Sequence, residues 1–253
     1  MARKTEDFKF IMSVEQLKDF IKKLDDLTDI NEKVIMKFDP QNLLLFTTEG
    51  KEKDIHAFKS HILSLKDDFV ECEEIKSEIK FIINDGKKLI KNLDIYLTFT
   101  DHIHFKMIYN EDGFGEKLMM KNDKLKLDVQ GALSQIFDIN IEMIKSTMDI
   151  NKAIYSFEMA EEDFTKIKKM STVEKDNDVY KLLVKDNKIY IGENRWNLLV
   201  GDVEHENTHI SFPKKYFNTI VFEESKVKLY VFETFLLYLG KESNLMITIE
   251  ITI

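Results

Sequence analysis

The sequence predicts an α+β protein of two similar halves, each built from largely antiparallel sheets and two helices. Three observations lead there. The 253-residue chain contains an ordered internal repeat. Most segments outside the proposed helices are short, β-branched or aromatic, and end at Asp, Asn, Gly or Pro, which is strand punctuation. No helix alternates with every strand, so parallel crossover units are not indicated.

The repeat comes first because it decides architecture. Residues 10–20, FIMSVEQLKDF, overlay 157–167, FEMAEEDFTKI, at a shift of 147, so that Phe10 meets Phe157, Met12 meets Met159 and Leu17 meets Phe164. FDPQNLLL (38–45) then overlays VKDNKIYI (184–191), IINDGKKLI (82–90) overlays HISFPKKYF (209–217), and KLKLDV (124–129) overlays NLMITI (244–249). The common order of the four matches points to duplication. It divides the chain into a first domain over 1–130, a connector over 131–152 and a second domain over 153–253.

Val14, Leu17, Phe20, Ile21, Leu24 and Leu27 follow the spacing of an amphipathic helix, and Ser13 with Gln16 forms a capping box at its start. In the second half Glu161, Glu162 and Asp163 suit the positive end of a helix dipole, with Phe164 and Ile167 on the buried side. Shorter helices are predicted around residues 87 and 214, with Asn84 and Ser211 as N-caps and Pro213 tolerated in a first turn. EKVIMKF, NLLLFTT, IHFKMIY, YKLLV, KIYIG, KVKLYVF and LMITIEITI read as strands.

Composition removes several functions. With 8 Gly and neither GxxxxGK nor GxGxxG, the common nucleotide-binding loops are missing, and there is no GxSxG elbow. One cysteine excludes an internal disulfide and a multi-cysteine zinc site and fits a reducing compartment. The opening MARKTEDF is too polar for a signal peptide, and no apolar run approaches the roughly 18 residues of a membrane span. A soluble, cytoplasmic protein without a membrane partner is expected. A net charge of -9 argues against a general nucleic-acid coat, so any DNA contact must come from grouped lysines.

Such grouping exists. Lys-Lys occurs four times, as Lys22-Lys23, Lys87-Lys88, Lys168-Lys169 and Lys214-Lys215, once in each proposed helix. On the first helix Lys22 lies opposite the apolar centre with Lys18 and Lys23 flanking it. Helices lying side by side would offer a stripe for duplex phosphates, sequence-neutral and salt-sensitive. No aromatic residues interleave with the lysines, and no recognition helix aims Arg or Asn at base edges.

HENTH at 205–209 matches the zinc-protease pattern HExxH, which requires a helix with both histidines on one face. Asn207 and Thr208 form helix poorly, and Gly201 and Pro213 leave little room, so a polar turn entering a strand is the preferred reading. A zinc-dependent hydrolase using His205, Glu206 and His209 is the rival function. His102 and His104 share a strand face as surface histidines. Cys72 sits beside Glu71, Glu73 and Glu74, which disfavour a thiolate, and Trp196 reads as core or groove lining.

FKFIMSVEQLKDFIKKL with its copy YSFEMAEEDFTKIKKM, IKFIINDGKKLIKNL, and the stretch from HISFPKKYF to NLMITIEI together resemble DNA sliding clamps, in particular the two-domain clamps of tailed bacteriophages and of the proliferating cell nuclear antigen type. The resemblance spans nearly the whole chain. It implies a homotrimeric ring of six like domains, a non-enzymatic processivity factor without cofactor or metal, partnered by duplex DNA, a DNA polymerase and a clamp loader. A monomeric viral processivity factor of the same fold is a further alternative. Positions matching pore-facing lysines are Lys18, Lys22, Lys23, Lys87, Lys88, Lys91, Lys166, Lys168, Lys169, Lys214 and Lys215. Ile136, Phe137, Ile139, Ile141, Met143 and Ile144 of the connector, with Ile251 and Ile253, are expected to form a groove for partner peptides.

Overall fold

Ser13 starts the first helix as its side chain suggests. In the computed structural model, which describes residues 5–51, 54–99, 102–132, 144, 146–173 and 177–252, Gln16 N–H donates to Ser13 Oγ (3.2 Å) and Ser13 N–H donates to Gln16 Oε1 (2.9 Å). This reciprocal box satisfies two backbone donors at the head of α1 (Val14–Thr28). The chain forms two units, Met1–Thr48 with Ser60–Ile139, and Glu49–Lys59 with Asn140–Ile253.

The first unit has β1 (Thr5–Met12), α1, β2 (Val34–Phe38), β3 (Asn42–Lys51), β4 (Asp54–Ser64), β5 (Glu71–Cys72), β6 (Ile79–Ile83), α2 (Gly86–Tyr96), β7 (Ile103–Asn110), β8 (Gly115–Lys121) and β9 (Lys126–Gln130). One sheet runs β5-β1-β7-β8-β9, and β6-β2-β3-β4 are neighbours in the other. Alternation along β1 buries Phe8, Phe10 and Met12 against Leu17, Phe20, Leu24 and Leu27 of α1. Phe10 stacks on Phe105 at 4.6 Å and Phe8 meets the edge of Phe38 at 5.1 Å. Tyr96, fully buried, donates to the Met120 carbonyl (2.7 Å) and so ties α2 to β8.

The second unit repeats this plan with β10 (Tyr155–Ala160), α3 (Glu161–Met170), β11 (Val179–Lys185), β12 (Lys188–Gly192), β13 (Asn197–Asp202), β14 (Thr208–Pro213), α4 (Lys214–Phe217), β15 (Lys226–Val231), β16 (Phe235–Leu239), β17 (Ser243–Thr248) and β18 (Glu250–Thr252). Its strands run β10-β15-β16-β17 and β14-β11-β12-β13, the same orders as β1-β7-β8-β9 and β6-β2-β3-β4 of the first unit. The duplication read from the sequence is therefore a duplication of topology. Residues 49–59 group with the second unit, where β4 neighbours β17 and Thr248 Oγ1 donates to the Ile55 carbonyl at 2.5 Å.

Local expectations are corrected at three places. The cap of α2 is Asp85, whose Oδ1 accepts from Lys88 N–H at 2.8 Å; the helix begins one residue later than an Asn84 cap requires. Ser211 lies within β14 opposite Lys181, leaving Pro213 as the α4 cap without a side-chain bond. LMITIEITI divides in two: β17 pairs with β16, Ile249 N–H turns to the Thr234 carbonyl, and β18 pairs with β14. Among the described residues no helix is long and apolar enough to cross a membrane.

Candidate nucleic-acid interface

Each of the helices α1 to α4 carries one Lys-Lys pair. In the first unit α1 and α2 pack together at a glycine. Gly86 N–H donates to the Glu32 carbonyl (2.7 Å), and a Cβ at this position would stand 2.6 Å from Thr28 Cγ2. In the second unit Phe164 of α3 lies 5.7 Å from Phe217 of α4 and 5.1 Å from Phe222, so this helix pair is joined by aromatic packing.

These contacts sort the predicted lysines into four groups, three of them exposed and one buried. Lys18, Lys22, Lys88, Lys91 and Lys169 are exposed, with no ion-pair partner among the described residues. Lys168 and Lys215 are exposed but lie over their own helices' aromatic rings, 5.3 Å from the Phe164 centroid and 4.4 Å from that of Tyr216. Lys87 reaches Glu32 at 3.4 Å, and Lys166 is held by Glu162 at 2.8 Å and Asp163 at 3.2 Å. Hydrogen bonding to Glu162, then Asp163, raises the Lys166 pKa; it is a satisfied cation.

Lys23 and Lys214 depart from the outward-facing expectation. Both are only 8% exposed. Lys23 lies three residues beyond Phe20 on the edge of the apolar stripe and pairs with Asp19. Lys214 extends inward, over the Tyr180 ring at 5.5 Å and to Glu193 at 2.7 Å, whose side chain is fully buried. These two hold structure and leave the surface set.

The fold also brings together groups that local pattern did not reveal. Phe222 and Ile220 join Thr165, Lys168, Lys169 and Thr172 around a groove of about 460 Å³, so a second aromatic, besides Phe164 of the helix itself, stands beside the α3 lysines. Phe164, four residues before Lys168, is a local signal; Phe222 is not, because it lies past α4 in the chain.

The other candidates fall away or lie elsewhere. His205 and Glu206 are in irregular backbone and His209 is in β14, so HENTH has no helix to align two ligands; His205 Nδ1 lies 2.9 Å from the neighbouring Glu206 carbonyl. Burial, and then the Glu73 charge, pushes the Cys72 thiol up to about 11, which removes the thiolate a nucleophile needs. Ile136, Phe137, Ile139, Ile141, Met143 and Ile253 lie outside the described residues. Ile144 is buried at 2% exposure, and Ile251 pairs in register with Ile210 through β18, so the expected groove is not assembled from described side chains.

Two like units, each with two matching four-strand runs and a pair of helices bearing lysines, define the DNA sliding-clamp fold, and the chain has that fold. No sequence-family model matches the chain, and no curated protein does. Among solved structures it is similar to a protein assigned as a DNA polymerase III beta subunit from Eubacterium rectale, with TM-score 0.71 and 12% identity over 99% of this chain and 67% of that one. The Helicobacter pylori beta clamp bound to a DNA ligase peptide gives TM-score 0.65 and 14% identity, covering 100% of this chain and 67% of that one. The DNA polymerase III beta subunit of Thermotoga maritima gives 0.66 and 13%, with 96% and 65% covered. The chain thus spans about two thirds of the length of these clamps.

Proposed function

We propose that this protein is a sliding clamp: a non-enzymatic ring that encircles duplex DNA and tethers a DNA polymerase to it. The observation that carries the reading is the set of exposed helix lysines without carboxylate partners among the described residues, present in both units of a protein whose net charge is -9. Unpaired ammonium groups release counterions when they meet phosphate, whereas paired ones must first give up a salt bridge. Lys18, Lys22, Lys88, Lys91 and Lys169 form the main contact, with Lys168 and Lys215 beside them and Lys87 and Lys166 as weaker members. An acidic remainder repels DNA from other surfaces and favours enclosure over grip.

Domains over 1–130 and 153–253, linked by 131–152, make two repeats of the plan. Clamps about half as long again hold correspondingly more, so a ring of six domains takes three copies of this chain. The last strand of the first unit's sheet, β9, and the end strand of the second unit's, β13, each pair on one side only among the described residues and offer edges through which copies can join. The H. pylori clamp is bound to a ligase peptide. By analogy, polymerase and clamp loader engage this chain through short peptides at the connector, where Phe137→Ala weakens binding and leaves the ring intact.

The test is retention on nicked circular duplex DNA after loading, followed by linearisation. A clamp stays on the circle and runs off the linear form. Equal retention on both forms refutes enclosure.

A further inference from the structure

The outward face of the β5-β1-β7-β8-β9 sheet holds a second charged feature, and it does not face phosphate in the way the helices do. Cα register places Glu71, Ile11, His104, Lys121 and Lys126 directly opposite one another, one residue from each strand. All five side chains share a face because each is its strand's contribution to the same row. Elsewhere on that face lysines meet carboxylates: Lys9 meets Glu73 at 3.3 Å, Lys106 meets Asp7, and Lys117 meets Asp128 at 2.5 Å. In this row Lys121 and Lys126 are directly opposed, exposed and without a carboxylate partner among the described residues, and His104 stands next to them. Like charges directly opposite one another destabilise a sheet, and among the described residues no carboxylate pairs with either lysine, Asp128 on the same face being engaged by Lys117.

The row borders a groove of about 600 Å³ whose floor includes the half-buried Ile11 and Met119. Its charge runs one way, from Glu71 at β5 to Lys121 and Lys126 at β8 and β9, with the apolar floor between. We propose that this groove binds an extended acidic peptide of a protein partner, lying across the strands. Its acidic residues meet Lys121 and Lys126, an aliphatic side chain sits over Ile11 and Met119, and a basic residue meets Glu71. Five strands at about 4.8 Å spacing span about 19 Å, the reach of about six extended residues. Duplex DNA fits poorly, because Glu71 and the carboxylates of the neighbouring row repel phosphate and an apolar floor gives it nothing. The groove lies on a sheet face, so edge-to-edge joining of copies leaves it open. It stands apart from the helix lysines, and loss of DNA retention through those lysines leaves this inference intact.

Fluorescence anisotropy at low salt with labelled acetyl-KSLSDD tests it on the full chain. The wild type is expected to give a saturable rise, weakened about tenfold in the Lys121→Glu, Lys126→Glu double variant, which instead binds acetyl-KSLSKK. The double serine variant should lose the first peptide without gaining the second, and circular dichroism should show all three proteins equally folded. Equal response of wild type and variants, whether all bind or none does, overturns the proposal. So does displacement of the peptide by duplex DNA with the same dependence on Lys121 and Lys126, which would make the row a phosphate site. A change in solution mass on mutation would make it a contact between copies and would equally overturn the proposal.

Discussion

Two lysine-bearing surfaces of the first unit differ in how their charge is met. On the outward face of its five-stranded sheet, Lys9, Lys106 and Lys117 each touch a carboxylate across the sheet, the opposed pair Lys121 and Lys126 being the exception. On α1 and α2, Lys18, Lys22, Lys88 and Lys91 touch none among the described residues, although Glu15, Asp25 and Asp94 are exposed on the same helices. The second unit repeats the helix pattern at Lys169. Acidic residues are in excess in this chain, 46 against 37 basic ones, so leaving these lysines unmatched is a property of their placement and not of supply. The proposed contact with a mobile polyanion needs charge that is available without breaking a salt bridge.

The largest expected effect tests that difference. The quadruple variant Lys22→Glu, Lys88→Glu, Lys169→Glu, Lys215→Glu should lose DNA retention and lower the slope of log affinity against log salt by about four. The sheet triple Lys9→Glu, Lys106→Glu, Lys117→Glu should retain DNA like the wild type in the same filter-binding series. Similar losses in both would erase the distinction between the two surfaces.

A helix lysine that is not free should behave in the opposite way. Lys214→Ala leaves the buried Glu193 carboxylate uncompensated and should cost about 3–5 kcal/mol in urea unfolding, with DNA affinity per folded molecule unchanged. The Lys214→Met, Glu193→Leu pair should recover most of the loss. Next in size, Gly86→Ala brings a Cβ against Thr28 and the Glu32 carbonyl, and should cost about 1–3 kcal/mol by thermal melting. It should also weaken DNA retention modestly by shifting α2, which carries Lys88 and Lys91.

The smallest effect concerns a carboxylate satisfied without any lysine. Burial pushes Glu223 up, but the Ser243 hydroxyl and the backbone N–H groups of Lys241, Glu242 and Ser243 outweigh it and hold the carboxyl below its ordinary range. A depressed folded-state pKa adds stability above the unfolded value of 4.5, and this is lost as pH falls through the lower folded value. Glu223→Gln should therefore melt lower than wild type at pH 7, with the gap closing below pH 4.5. A gap independent of pH would mean that the amide loses packing and not charge.

Much of this was legible in the chain. The Ser13–Gln16 box, the apolar stripe of α1 and the ordered repeat are local or periodic signals, and the structure realises them as a cap, a buried face and two matching strand orders. What escaped was non-local. Lys214 sits on a helix of four residues, too short for periodicity to say which way it faces, and its partner Glu193 follows a strand earlier in the chain. Lys23 escaped for a different reason: its long stem lies along the edge of a wide apolar stripe, where helical spacing alone does not separate inside from outside. The opposed pair Lys121 and Lys126 depends on strand register, which the hairpin sets and composition does not reveal.

The most direct measurement is lysine acetylation footprinting by mass spectrometry, with and without bound duplex DNA. Bound DNA should protect Lys18, Lys22, Lys88, Lys91 and Lys169 while Lys9, Lys106, Lys117, Lys121 and Lys126 label unchanged. Protection of the sheet lysines with the helix lysines still labelled would contradict it.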